Sequence, residues 1–274
     1  MRRLTVILFS AVLVFAQVKQ FKPGFNLFSP EQDIQMGKQA AAEVERTRPV
    51  VRNDELSGYL ARVGARLARS RYAGQFGFRF SVVNDPHVNA VAFPGGPIYV
   101  NTGLLAVLDN ESQLAGVLAH EMSHVALRHG THQASKAILI QGPAAAAEAL
   151  IRDDSNLAEI ARLGISFTAN SVLLRYSRDN EREADLNGAL IMNDTGYNPV
   201  EMERFFEKLE RQGEGGGLIA SWFSDHPAPA NRVREVDDEI RQLPRASYSE
   251  SEPRTLARAK RIVAGLPHPP RSLD

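Results

Sequence analysis

The sequence predicts an α+β fold, mainly helical, with a small β-sheet beside one central helix. Three observations carry that prediction. Apolar residues recur at helical spacing over Leu56 to Leu67 and through most of the chain after residue 104. Phe76 to Val82 instead alternates, with Phe78 and Phe80 between, the period of a half-buried strand. Two more short apolar runs, Val88 to Phe93 and Ile98 to Val100, flank the turn residues Pro94-Gly95-Gly96.

At the N-terminus, Met1-Arg-Arg precedes the apolar run Leu4 to Ala16, and Val14-Phe-Ala16 fits a small-residue cleavage rule. Residues 1–16 therefore read as a signal peptide for export into a bacterial periplasm or beyond. The run is short for a membrane span, but left uncleaved it would hold the chain near a membrane. No cysteine follows to accept a lipid. Residues 17–243 are long enough for one domain with a substantial core. In the tail, 244–274, the composition turns to Pro, Arg and Ser, and only Thr255 to Ala264 can form a helix.

Ala40 to Val44 and Leu56 to Leu67 read as helices. A third, amphipathic helix starts after Asn110, with Gln113 at the capping-box position. Leu114, Val117, Leu118, Val125 and Leu127 follow at roughly helical spacing and end near Gly130. Ala137 to Ile151 is apolar, broken by Gly142-Pro143, and reads as buried or lining a cleft. Gly213-Glu-Gly-Gly-Gly217 reads as a flexible loop between helices; it lacks the preceding strand and the following Lys-Ser/Thr of a phosphate cradle. With 32 basic and 32 acidic side chains the charge is balanced, which gives no electrostatic case for nucleic-acid binding.

The third helix carries His120-Glu121-Met122-Ser123-His124, an HExxH pentapeptide. Seven histidines in 274 residues would produce it by chance in roughly one shuffled chain per hundred, so its context decides. Positions i and i+4 of a helix share one face, and His120 and His124 can present two imidazoles to one zinc ion. Glu121 sits about 100° round the helix, within reach of a water beside the metal without ligating it. A catalytic zinc site takes three protein ligands. The third is not a cysteine, because there is none, and Leu127 and Gly130 stand where a metzincin needs Gly and His. A downstream carboxylate remains. Glu181 and Asp185 are again i and i+4: Glu181 would ligate zinc, and Asp185 would accept the outer N–H of a zinc-bound histidine. Glu183, roughly 200° round from Glu181, should point away.

These segments together resemble the gluzincin peptidases that include HtpX, the type I CAAX prenyl proteases and the periplasmic BepA-like proteases. Phe28 to Gly37 looks like the family's N-terminal helix entry, and Asn89 to Val100 is similar to its strand segment. His120 to His124, Glu181 to Asp185 and Asp225 to Arg232 complete the series in order, so the resemblance covers roughly residues 28 to 240. It implies a zincin-like domain holding one zinc ion per chain through His120, His124 and Glu181, with Glu121 as general base and Asp185 behind the ligands. His226 matches a family histidine implied either to stabilise the oxyanion or to cap the zinc in a latent form. Arg232 matches an arginine that braces the site. The hydrophobic spans of the membrane-embedded branch and the helical-repeat extension of the BepA kind are absent. His87, His129, His132 and His268 carry no comparable signal and read as surface or local structural residues.

The expected activity is hydrolysis of internal peptide bonds by zinc-activated water. Oxyanion support would come from zinc, His226 or Tyr176, although Tyr176 reads better as a packed aromatic. A peptide could pair with the strand near Ala90 to Phe93, a mode largely indifferent to sequence, which suits unfolded or misassembled envelope proteins. The alternative is a latent or chaperone-like zinc protein that binds unfolded chains and cleaves little; the presence of Glu121 argues against it.

Overall fold

The computed structural model describes residues 20–142, 176–213, 217–227, 232–244, 246–249 and 253–267. The expected signal peptide, most of the apolar stretch 137–151 and the middle of the loop at 213–217 lie outside them. The architecture is mainly helical with one three-stranded sheet, as the sequence predicts.

Helix α1 spans Pro30–Thr47 and α2 spans Asp54–Leu67. Ser29 and Gln32 close a full capping box on α1, each side chain accepting from the other's backbone N–H, and Pro30 takes the first turn, where no N–H is needed. Asn53 caps α2 by accepting from the Leu56 N–H. Strands β1 (Arg79–Val83), β2 (Ala90–Ala92) and β3 (Pro97–Asn101) then form the sheet in the order β1-β3-β2. β1 runs parallel to β3 and β2 antiparallel, with Ala90 opposite Val100 and Ala92 opposite Ile98. Among the described strands β2 is therefore an edge.

A short helix α3, Thr102–Val107, leads into α4, Glu111–Ala126. Asn110 caps α4 through the Gln113 N–H, while the Gln113 side chain reaches back to the Asp109 N–H, one residue before a capping box would have it. Two expectations about this helix need correction. It stops at Ala126, short of Gly130, because Arg128 adopts a left-handed conformation at φ 57°. That turn is held by the Arg128 guanidinium, which donates to both Asp33 oxygens, at 2.7 and 2.9 Å, and to the Phe28 carbonyl. Nor is α4 amphipathic: every residue from Ser112 to Val125 is buried, since α2, β2 and later helices surround it.

Helix α5, His129–Gln141, follows directly. Beyond it come α6 (Arg178–Asp194), α7 (Val200–Gly213), a 3-10 turn at Gly217–Ile219, α8 (Ala220–Asp225), α9 (Arg232–Gln242) and α10 (Pro253–Ala264). Helix α6 lies against α4 along its length, with α7 and α9 packed around the pair. Gly188 of α6 permits the close approach: a Cβ there would stand 3.3 Å from the His120 backbone nitrogen. Asn187 adds a buried hydrogen bond of 3.0 Å to the Ser123 hydroxyl. In the tail, α10 packs on α2 and α3 and contributes Leu256 and Ala259 to the main core. A smaller core under α1 joins Met36, Ala40 and Val44 to Phe93, Tyr99 and Ile138. No helix among the described residues is long and apolar enough to cross a membrane.

Candidate metal centre

The α4–α6 pairing sets the centre. His120 and His124 project from α4 one turn apart, and their Nε2 atoms lie 3.0 Å from each other. Glu181, in the first turn of α6, approaches both: Oε2 is 3.4 Å from His120 Nε2 and Oε1 is 3.4 Å from His124 Nε2. His226, which follows α8, closes the group with Nδ1 3.2 Å from Glu181 Oε1 and 3.3 Å from His120 Nε2. The four side chains are fully buried, and one ligand atom from each fits within 4.8 Å of all the others. Among the described residues they are the one group that could hold a metal ion.

The donor chemistry fits a divalent cation. His120 uses Nδ1 on Asp185 Oδ1 at 2.9 Å, and His124 uses Nδ1 on His129 Nδ1 at 2.9 Å, so both Nε2 atoms are turned inward. Two imidazole nitrogens and a carboxylate are a familiar zinc donor set. Glu121 Oε1 and Oε2 and Glu181 Oε2 are buried without a hydrogen bond. Orphaned acceptors cost about 1–3 kcal/mol each, more when charged, and a cation among them offsets that cost.

Each predicted site residue can now be located. Glu121 extends from α4 with Oε1 3.4 Å from His226 Nε2, outside the ligand group. Asp185 sits behind His120, and Arg232, at the start of α9, donates to the same Asp185 oxygen at 2.7 Å. Tyr176 is buried and stacks on His124, ring centroids 3.7 Å apart, which is a packing role. Glu183, expected to point away, stays outside the four-residue group but carries its carboxylate to His129, the ring behind His124. His129, read from the sequence as surface or local, is instead buried between His124 and Glu183, its Nε2 3.2 Å from Glu183 Oε2. Two aromatics also went unread: Trp222 stacks on His226 at 4.4 Å, and Phe206 lies 3.8 Å under the Arg232 guanidinium. His129 follows the pentapeptide by only five residues, but the left-handed turn at Arg128 that brings the two rings together has no mark in that spacing. Nothing local marks Trp222 or Phe206.

Burial and the two carboxylates pull the histidines apart. Burial alone would lower His120, but Glu181 and Asp185 outweigh it and push the imidazole up to about 9. His124 is lowered well below its ordinary value, because burial dominates the help it gets from Glu181. Burial raises Glu121, against the pull of His226 and His120; Glu181 is lowered despite burial, by His226 and His120. In the metal-free protein a proton on His120 would thus compete with any metal the cluster takes up. Its stabilising effect is full below 6.5, the ordinary value, and is lost as pH rises through about 9. Metal affinity runs the other way. The rise in Tm on adding zinc should therefore grow between pH 6.5 and 9, as thermal melts with and without chelator would register. A constant increment would contradict the assigned proton.

A model of peptidase family M48 matches residues 54–240. The chain is 28% identical over 235 residues to the beta-barrel assembly-enhancing protease of Escherichia coli, covering 84% of this chain and 48% of that protein. It is likewise 28% identical over 239 residues to a putative beta-barrel assembly-enhancing protease of Vibrio cholerae, with 85% and 49% covered. The mitochondrial metalloendopeptidase OMA1 of Schizosaccharomyces pombe is 27% identical over 180 residues, with 66% and 52% covered. The chain spans about half the length of these relatives.

Proposed function

The chain belongs to peptidase family M48, and from that premise we propose that it is a zinc-dependent metalloendopeptidase. The observation that carries the proposal is the convergence of His120, His124 and Glu181, with Glu121, free of hydrogen bonds, beside the two histidines on their helix. His120, His124 and Glu181 would hold one zinc ion. A bound zinc would supply Lewis acidity, polarising a scissile carbonyl and bringing the pKa of an adjacent water toward neutrality.

The chain's own residues do the rest. Glu121 takes the proton of the attacking water and hands it to the leaving amine. Burial raises its proton affinity, which suits a group that must hold a proton between two transfers. Asp185, braced by Arg232, keeps His120 in the orientation that presents Nε2. The β2 edge offers backbone groups to an extended peptide, and main-chain pairing of this kind accepts many sequences. That favours unfolded or misassembled polypeptides of the cell envelope as substrates, reached through an exported, periplasmic or secreted location. The name of the bacterial relatives, beta-barrel assembly-enhancing protease, supports an envelope setting.

A second reading has its own observation. His226 lies among the ligands, and its Nε2 is 3.4 Å from the Ala90 carbonyl on the edge strand. In this arrangement it would add a fourth donor to any metal held by the other three residues, and it engages one of the acceptors a peptide would use. We take this as a latent state, which is also where a chaperone-like role would begin. The variant His226→Ala should then cleave casein about three- to tenfold faster at equal zinc content, the gain expected when a minor competent state becomes dominant. A fall in rate would assign His226 to oxyanion support instead.

The test of the main reading is zinc content of the purified chain, paired with casein cleavage before and after chelation. One zinc per chain and chelator-sensitive cleavage are expected. A chain that holds no zinc would overturn the proposal; zinc without cleavage in both the parent and His226→Ala would leave only the binding role.

A further inference from the structure

His124 and His129 meet through their Nδ1 atoms, 2.9 Å apart and both buried. Two ring nitrogens at that distance share a single proton, since two protons or two lone pairs would oppose each other. The other faces of the two rings decide which one holds it. His124 Nε2 is turned toward His120 Nε2 and Glu181 Oε1. A neutral imidazole that ligates through Nε2 keeps its proton on Nδ1, so His124 donates and His129 accepts. His129 must then carry its own proton on Nε2, where Glu183 Oε2 stands 3.2 Å away to receive it.

We propose that His129 is a positioning residue, kept by Glu183 in the tautomer that turns the His124 Nε2 lone pair onto the metal. The proposal rests on the metal reading above and adds to it a chain of two hydrogen bonds, His124 to His129 to Glu183. The chain ends at a half-exposed carboxylate, with 43% of the Glu183 side chain accessible. The two ligand imidazoles therefore have different outer partners. Behind His120 stands the carboxylate of Asp185, shared with Arg232. Behind His124 stands a neutral ring, a weaker acceptor, which leaves His124 the less basic ligand of the two. Spacing alone does not reveal this pair. His129 opens α5 only because the left-handed turn at Arg128 redirects the chain and swings its ring back beneath His124.

The experiment uses the full chain, zinc-loaded and labelled with 15N at histidine. A proton on His124 Nδ1 shared with His129 Nδ1 should give a scalar coupling between those two nitrogens. In parallel, zinc affinity is measured by competition with a chelator for His129→Leu and His129→Asn. Leucine fills space but accepts no hydrogen bond, whereas the asparagine carbonyl stands close to where Nδ1 was. Affinity should fall about 10- to 100-fold in His129→Leu and recover largely in His129→Asn. A missing coupling, or equal affinity in both variants and the parent, or equal loss in both variants, would overturn the proposal. Should His129→Leu fail to fold, the coupling in the parent chain decides alone. A parent chain that takes up no zinc would overturn the metal reading and this one with it; zinc uptake without the coupling overturns this one only.

Discussion

Replacing Glu121 by glutamine should abolish measurable proteolysis while leaving the metal in place. Glu121 lies beside the ligand group but outside it, 3.4 Å from His226 and without a hydrogen bond on either oxygen. Its removal therefore costs no donor atom. What disappears is the group that can accept a proton from water and return it to the departing amine. Losing a positioned general base costs about 10²- to 10⁴-fold in rate, or about 3–5 kcal/mol of barrier. The fold should not suffer, because the amide is nearly isosteric and a buried carboxylate that accepts no hydrogen bond is itself costly. Casein cleavage, zinc content and Tm measured on the same preparation separate these effects. Undiminished cleavage by Glu121→Gln would remove the assigned mechanism.

Glu181→Ala should do the opposite and strike metal and fold together. Glu181 is the negative charge at the centre of the cluster: both its oxygens face histidine nitrogens, and Arg232 lies 3.7 Å from Oε2. Without it, zinc affinity should fall by more than about 100-fold, beyond what losing an outer partner costs. The metal-free fold also loses the carboxylate that does most to keep His120 charged inside the protein, and a lesser part of the support that Arg232 draws first from Asp185. Breaking a fully buried ion network from one side typically costs about 3–5 kcal/mol. In a chain of this size that lowers Tm by about 10 °C. Melts in excess chelator isolate the structural part, and zinc competition isolates the ligand part. A variant that melts like the parent in chelator yet binds no zinc would show that Glu181 acts on the metal alone.

The candidate metal-binding side chains were legible because helical periodicity is local. His120 and His124, and Glu181 and Asp185, are each one turn apart, so their faces follow from sequence distance. The alternation before Val82 is readable for the same reason, whereas the helix expected over Ala40 to Val44 runs back to Pro30, where Ser29 and Gln32 close its capping box. Other features were not legible. Helix α4 reads as amphipathic from its residue types, yet everything from Ser112 to Val125 lies inside, the polar side chains included. Ser123 is satisfied by Asn187 of α6, and His124 by His129 across a turn whose left-handed residue is an arginine. A positive φ at arginine has no sequence signal; Asp33, 95 residues away, holds it.

Residue type and short-range spacing were enough to show which side chains could ligate a metal, which could move a proton, and which short segments would be helix or strand. Those are properties of residue type and of spacing within one turn. Long-range packing had to be seen to learn that His129 backs His124, that His226 stands with the candidate ligands beside the edge strand, and that Trp222 and Phe206 pack against His226 and Arg232. These contacts join residues up to 136 positions apart. They arise from how α4, α6 and α9 pack around one buried core, and packing depends on the whole chain rather than on any window of it.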